Sequence, residues 1–197
     1  PRPNPSSSDS CFNLMLRAFV PTHIPKPRGL VDANWELIRR DFGGAIDLEI
    51  GCGVGMHPIR RALAHPSHFL VALERTREKF EKFERRYESH ARPLNLLPVH
   101  ADAVSWVAHR LPLDIKISRL FLLYPNPEPK AKSQRWIHVP FFEMLLTRVV
   151  GEVHLATNIA SYFGEFSQGM RARGFMAPAQ DTISLESVTD FKPRTHF

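Results

Sequence analysis

The 197-residue sequence has only two cysteines, Cys11 and Cys52. Two cannot staple a disulfide-built secreted scaffold, so a reducing cytoplasm is the expected compartment. No apolar run approaches the roughly 18 residues that span a membrane, and no membrane partner is expected. No stretch repeats itself. Ten histidines occur, yet neither His-Glu-x-x-His nor Cys-x-x-Cys does, so no metal is expected. The Gly-Lys-Ser/Thr of a phosphate-binding loop is also missing. Neither sign of charge dominates: 26 Lys and Arg against 20 Asp and Glu leave +6. That leans weakly toward a polyanionic partner.

What remains is ordinary for one globular domain. Hydrophobic residues are 43% and charged residues 23%, and a chain of this length can bury its own core. The opening PRPNPSSSDS is too rich in Pro and Ser to bury a core, so residues 1–20 read as a flexible arm. Residues 21–197 read as a single domain. Three prolines make 21–30 an irregular approach, and 32–41 reads as a short helix capped by Asp32. From residue 45 the pattern alternates. Apolar runs predict strands at 45–51, 68–74, 95–102, 118–125 and 152–158. Helical spacing predicts helices at 57–65, 76–89, 103–110, 134–148 and 160–173. Pro98 is awkward inside a strand, and Pro140 must sit at a helix boundary or a kink. The segment 182–191 can add one or two strands. The charges of 76–89 have mixed sign and read as a solvated face. Strand–helix alternation of this kind implies a parallel sheet with helices on both faces.

The first strand runs straight into Gly51-Cys52-Gly53-Val54-Gly55, and a helix follows. Glycines allow a tight turn and let a ligand lie against the main chain, facing amides at the helix start. A dinucleotide site needs Gly or Ala three residues after the second glycine, where this chain has Met56. With the P-loop also excluded, the remaining common ligand is S-adenosylmethionine. Its ammonium and sulfonium groups are cationic, and Glu49 stands two residues before Gly51. Glu74 ends the second strand, where a carboxylate can accept from both ribose hydroxyls. Asp102, followed by Ala103, ends the third, where it can accept from the adenine amino group.

These residues resemble those of the tRNA (guanine-N7)-methyltransferase family. LEIGCGVG at 48–55 is similar to its Leu-Glu-Ile-Gly-x-Gly-x-Gly, Leu73-Glu74 to its Ile-Glu, and Ala101-Asp102-Ala103 to its x-Asp-Ala. Tyr124-Pro125-Asn126-Pro127-Glu128-Pro129-Lys130 is similar to its Pro-Asp-Pro-Trp-Pro-Lys. Thr157-Asn158 with Tyr162 is similar to Thr-Asp-x-x-x-Tyr, and Thr195-His196-Phe197 to Thr-x-Phe-Glu. The resemblance implies a Rossmann-like, doubly wound, mostly parallel α/β sheet of the seven-stranded class I methyltransferase type. It implies tRNA as the substrate; a monomer or homodimer is expected. It also implies that Lys130, Thr157, Asn158, Tyr162 and Thr195 shape the nucleotide pocket. The departures lie on the substrate side. Asn126 replaces the family's Asp, Glu128 its Trp and Asn158 its second Asp. A basic cluster is thinned to Lys132 and Arg135.

Guanine N7 carries an in-plane lone pair and no proton, so its methylation needs no general base. The site has to hold the base in line and tolerate a product that becomes cationic. The stiff proline loop suits the first task. Asn126 is expected at the base edge, and Glu128 is expected to supply the negative charge. Lys130, Lys132 and Arg135 are expected to meet phosphates. Two other readings stay open: a methyltransferase for another RNA or a small molecule, and a non-catalytic cofactor- or RNA-binding module.

Overall fold

The computed structural model describes residues 18–27, 33–126 and 131–176. Five parallel strands form one sheet: β1 (Ala45–Ile50), β2 (Leu70–Glu74), β3 (Leu96–His100), β4 (Lys116–Leu123) and β5 (Val149–Ala156). Their spatial order is β3-β2-β1-β4-β5. The chain therefore winds outward from β1 to β3, then returns to lay β4 on the other side of β1. Parallel neighbours need long crossovers, and the helices supply them. These are α2 (Met56–Ala64), α3 (Arg77–Ser89), α4 (Ala103–Arg110) and α5 (Pro140–Leu146). They are preceded by α1 (Trp35–Phe42) and followed by α6 (Ala160–Ala172).

Side chains alternate across a strand, and β1 uses both faces differently. Ile46, Leu48 and Ile50 enter a large core with Ile38 of α1, Trp106 of α4, Phe142 and Leu145 of α5, and Phe166 of α6. On the other face, Ile59 and Ala62 of α2 and Phe80 and Phe83 of α3 pack on Leu70, Ala72 and Leu96. The buried Asn95 amide ties this layer together. It donates to the carbonyls of Ala62, His65 and His68 at 3.0, 3.1 and 2.9 Å.

All five expected strands are present. Pro98 sits opposite Ala72 in β3, an edge strand among the described residues, where a missing N–H costs little. Three details differ from the sequence reading. The cap of α1 is Asn34, whose side chain accepts from the Leu37 N–H at 3.0 Å; Asp32 lies outside the described residues. The helix expected over 134–148 shrinks to Pro140–Leu146, behind two 3-10 turns at Lys132–Gln134 and Trp136–His138. Pro140 takes the first helical position, where its missing N–H costs nothing, so it starts the helix instead of kinking it. The fifth strand begins three residues early and includes Gly151. A Cβ there would collide with the Ser118 carbonyl of β4. Phe19, within the expected arm, packs edge-on against Phe141 with ring centroids 5.4 Å apart. The strands expected at 182–191 lie outside the described residues.

Candidate active site

The reversal of strand order between β1 and β4 opens a crevice at the carboxyl ends of the strands. The glycine loop lines it. Gly51, Gly53 and Gly55 have φ of +75°, +61° and +77°, a left-handed conformation that a side chain disfavours. The Gly51 and Cys52 amides both donate to the Leu73 carbonyl, at 2.8 and 3.1 Å, and this ties the loop to β2. A Cβ added at Gly51 or Gly53 would meet nothing within 4 Å, so the space above them is open. Gly55 is different: its Cβ would run into the Phe83 ring. The first two glycines therefore leave room for a ligand, and the third lets α2 close on α3. Arg86 of α3 adds a brace, donating to the Val54 carbonyl.

The three expected acids stand at successive strand ends, each with a different partner. Glu74 is buried and takes the Gly53 amide on Oε2 at 2.9 Å and the Thr76 amide on Oε1 at 2.6 Å. A carboxylate offers about four lone-pair sites, so two remain for ribose hydroxyls. Glu49 is 2% exposed, with Oε2 at 2.7 Å from His57 Nδ1. Asp102 is exposed and caps α4, its Oδ1 accepting from the Ser105 N–H at 3.1 Å. Ala103 follows, buried at the helix start. Burial, with the carboxylates of Glu49 and Glu74, pushes the Cys52 thiol well up. Cys52 is therefore no nucleophile near neutral pH.

At the end of β4, Tyr124 has φ +51° and is 50% exposed. A bulky residue in that region is strained, and such strain gathers at functional positions. Its N–H donates to the Ala156 carbonyl at 2.7 Å, which joins the ends of β4 and β5. Asn126 is exposed two residues on. Thr157 and Asn158 follow β5, with Thr157 Oγ1 accepting from the Ile159 N–H at 3.2 Å. Glu128, Lys130 and Thr195 lie outside the described residues.

Two expected contacts turn inward. Arg135 is 5% exposed, pairs with Glu165 and lies over the Tyr162 ring at 5.3 Å. Glu165 also takes His138 Nε2 at 2.6 Å. Burial opposes ionisation of Glu165, but the bonds from His138 and Arg135 outweigh it and hold its carboxyl below its usual range. Arg135 thus anchors the 131–138 segment to α6, where a phosphate contact was expected. Tyr162 is fully buried, and burial raises its phenol. Lys132 stays exposed.

Sequence reasoning missed His57 and the strained geometry of Tyr124. Nothing local marks His57; it matters because α2 returns it to Glu49. A cavity of about 370 Å³ lies away from the crevice, beside Asp47, His68, Arg119 and Glu152. Its buried Asp47 is satisfied by Arg61 at 2.8 Å and Arg119 at 3.4 Å. Among the described residues, no three His, Cys, Asp or Glu side chains gather as a metal ion would need. Also among them, no helix is long and apolar enough to cross a membrane.

A family model described as "Putative methyltransferase" matches residues 44–197. The chain is 32% identical over 158 residues to a tRNA (guanine-N(7)-)-methyltransferase of Brevibacillus brevis, covering 77% of this chain and 70% of that protein. It is 28% identical over 188 residues to one from Caulobacter sp. (strain K31), covering 93% and 76%. It is 26% identical over 145 residues to one from Chlorobium phaeobacteroides, covering 72% and 70%. Among solved structures it resembles a precorrin-6y C5,15-methyltransferase from Geobacter metallireducens. That match has a TM-score of 0.51 at 13% identity over 79% of each chain. It also resembles an antibiotic-resistance methyltransferase, Kmr, with a TM-score of 0.51 at 18% identity over 79% of this chain and 90% of that one. At these identities the likeness concerns the fold alone.

Proposed function

The chain belongs to this methyltransferase family, and on that premise we propose how its residues carry out methyl transfer. It is an S-adenosylmethionine-dependent methyltransferase of the tRNA (guanine-N7) type. The observation that carries the site assignment is the open floor over Gly51 and Gly53, flanked by the buried carboxylates of Glu49 and Glu74. That donor set suits a ligand with two cationic groups and a diol.

When bound, the cofactor supplies an electrophilic methyl group on a sulfonium. The chain does the rest. Gly51, Gly53 and Gly55 form the loop that receives it. Glu49 would stand near its methionine end, Glu74 would offer its remaining lone pairs to the ribose hydroxyls, and Asp102 with Ala103 would meet the adenine. Asn126 holds the edge of the guanine, Tyr124 offers it a ring to stack on, and Glu128 compensates the charge that appears on the base. The cofactor would supply a methyl group to the N7 lone pair, and the electrons of its C–S bond would remain on sulfur. No proton moves. Water exclusion and alignment are the tasks left to the protein. Lys130, Lys132, Thr157, Asn158 and Thr195 line the nucleotide and tRNA side, with Tyr162 and Arg135 supporting it from within.

We further propose the seven-stranded sheet of class I methyltransferases, with further strands added outside β5. That edge is largely uncovered among the described residues, Val150 being 65% exposed. The domain reading of 21–197 behind a 1–20 arm, a cytoplasmic location and a monomer or homodimer belong to the same proposal. The test is transfer of labelled methyl to tRNA lacking 7-methylguanosine, followed by nucleoside analysis. Label in 7-methylguanosine supports the assignment. One observation favours a second reading, another RNA or a small molecule as acceptor: Arg135 is turned inward, which leaves fewer cations for a tRNA backbone. Label in another acceptor, with tRNA inert, would establish it.

A further inference from the structure

We propose that the cavity at the amino ends of the strands is a second binding site, built for a small monocarboxylate with an apolar body. The inference is independent of the cofactor reading. The cavity has a volume of about 370 Å³ and lies at the opposite end of the sheet from the crevice. That volume is within the range of small-molecule sites.

Irregular strand pairing shapes it. Ile46 pairs with Ile117 and Asp47 with Arg119, so β4 carries one residue more than β1 at this point, Ser118. Along the other side of β4, Ile117 pairs with Val149 and Arg119 with Glu152, so β5 carries one residue more than β4. Gly151 stands in that second bulge, and the Ser118 carbonyl fills the place of its missing side chain. Bulges re-aim the side chains around them. Ile117 and Leu120 enter the same core although three residues apart. Strict alternation would put Arg119 on the face of Ile117. The bulge turns it to the other face, beside Asp47 and Glu152.

The lining has two sides. One is apolar: Phe42 and Phe69 meet edge to face with ring centroids 5.3 Å apart, and Val150 lies near them. The other side donates. Arg119 Nη1 is 3.2 Å from His68 Nδ1. A guanidinium can only donate, so Nδ1 accepts and the ring proton sits on Nε2. Burial lowers the His68 imidazole, in keeping with a neutral ring. Its Nε2–H has no partner among the described residues. Arg119 is otherwise held loosely, 3.4 Å from Asp47 Oδ1 and 3.5 Å from Glu152 Oε2, and its Nη2 has no partner among the described residues. Ser67 and Ser118 add hydroxyls. The charges balance: Asp47 is matched by Arg61 at 2.8 Å, and Arg119 by Glu152, which also takes His154 Nε2 at 2.9 Å. A balanced surround with open donors suits one negative charge better than the two of a phosphate, and the aromatic wall calls for an apolar body.

The test is titration of the isotope-labelled full chain with phenylacetate, followed through its amide resonances. Binding with a Kd of about 1 mM is expected, usual for so small a ligand, and the amides of Ser118, Arg119 and Gly151 should move. The neutral phenylacetamide and inorganic phosphate are each expected to bind about tenfold more weakly or worse, the usual worth of a charge-assisted hydrogen bond. Arg119→Met keeps the length of the side chain and leaves Asp47 with Arg61, and it should weaken phenylacetate by about tenfold or more. Ser67→Trp sits on an exposed turn at the rim and should cause a similar loss by obstruction, which serves if Arg119→Met impairs folding. No binding overturns the inference. So do equal binding of phenylacetamide or phosphate, shifts confined to the glycine loop, and unchanged affinity in either folded variant.

Discussion

Replacing Gly55 and Gly53 by alanine, one at a time, should damage two different properties. Gly55 caps α2 at φ +77°, and its new Cβ would lie no farther than 2.5 Å from three carbons of the Phe83 ring. Phe83 is fully buried in the layer between α2, α3 and the sheet, so its ring has nowhere to swing. A left-handed alanine costs about 1–2 kcal/mol. Overpacking a dense core costs about 1–3 kcal/mol more. Gly55→Ala should therefore lose about 2–5 kcal/mol. At about 2–4 °C per kcal/mol for a chain of this size, its melting temperature falls by roughly 4–20 °C. Gly53 has φ +61° and open space, so Gly53→Ala pays only the backbone term of about 1–2 kcal/mol. Its methyl group would instead occupy the floor proposed for the cofactor, and affinity for S-adenosylhomocysteine should fall more than tenfold. Thermal melting and calorimetry read the two effects separately. Phe83→Leu in the Gly55→Ala background should restore part of the lost stability, a coupling absent from Gly53→Ala. Equal melting losses for the two single variants, or no relief from Phe83→Leu, would refute this division of labour among the glycines.

Other variants probe the rest of the crevice. Glu74→Gln keeps the shape of the side chain but loses its charge, and cofactor affinity should drop about tenfold to a hundredfold, the usual worth of a charge-assisted hydrogen bond. Calorimetry showing no change would remove Glu74 from the ribose site. Tyr124→Gly relieves the positive φ and removes the ring. Melting should hold or rise while KM for tRNA climbs about tenfold, the lower range for base–aromatic stacking. A drop in melting temperature with unchanged KM would show that the ring serves packing instead. Arg135→Ala should cost about 2–4 kcal/mol by leaving Glu165 with His138 alone. Denaturant titration checks this. Lys132→Ala should spare stability and reduce the slope of log Kd for tRNA against log salt by just under one unit. If Arg135→Ala lowers that slope and not stability, its inward placement is the wrong account.

The fold was largely legible because its signals are local. AIDLEI and SRLFLL are strands by composition alone, and the alternation with amphipathic segments leaves few options beyond a parallel sheet. What went unread depends on distant partners. The stretch 134–148 has helical apolar spacing. Its first half is nevertheless held in 3-10 turns, because Arg135 and His138 both reach Glu165 about thirty residues on. Once that ion pair fixes the segment against α6, the helix can start only at Pro140, which is built to start one.

The site divides along the same line. Three acids at three strand ends were readable, since their spacing follows from the repeat of strand, turn and helix. What each acid can offer a ligand was not, since that is set by its neighbours. Glu74 already holds two amides, so about two lone pairs in a fixed orientation remain for the ribose proposed there. Asp102 already caps a helix with one oxygen, so about three lone-pair sites remain for the adenine contact proposed for it. Glu49 is bonded to a histidine eight residues later, so one of its oxygens is already engaged. Equivalent carboxylates in sequence thus become one structural clamp, one cap and one acid paired with a histidine. The acid that grips the loop itself is Glu74, through the amide of Gly53, one of the glycines that leave room for a ligand.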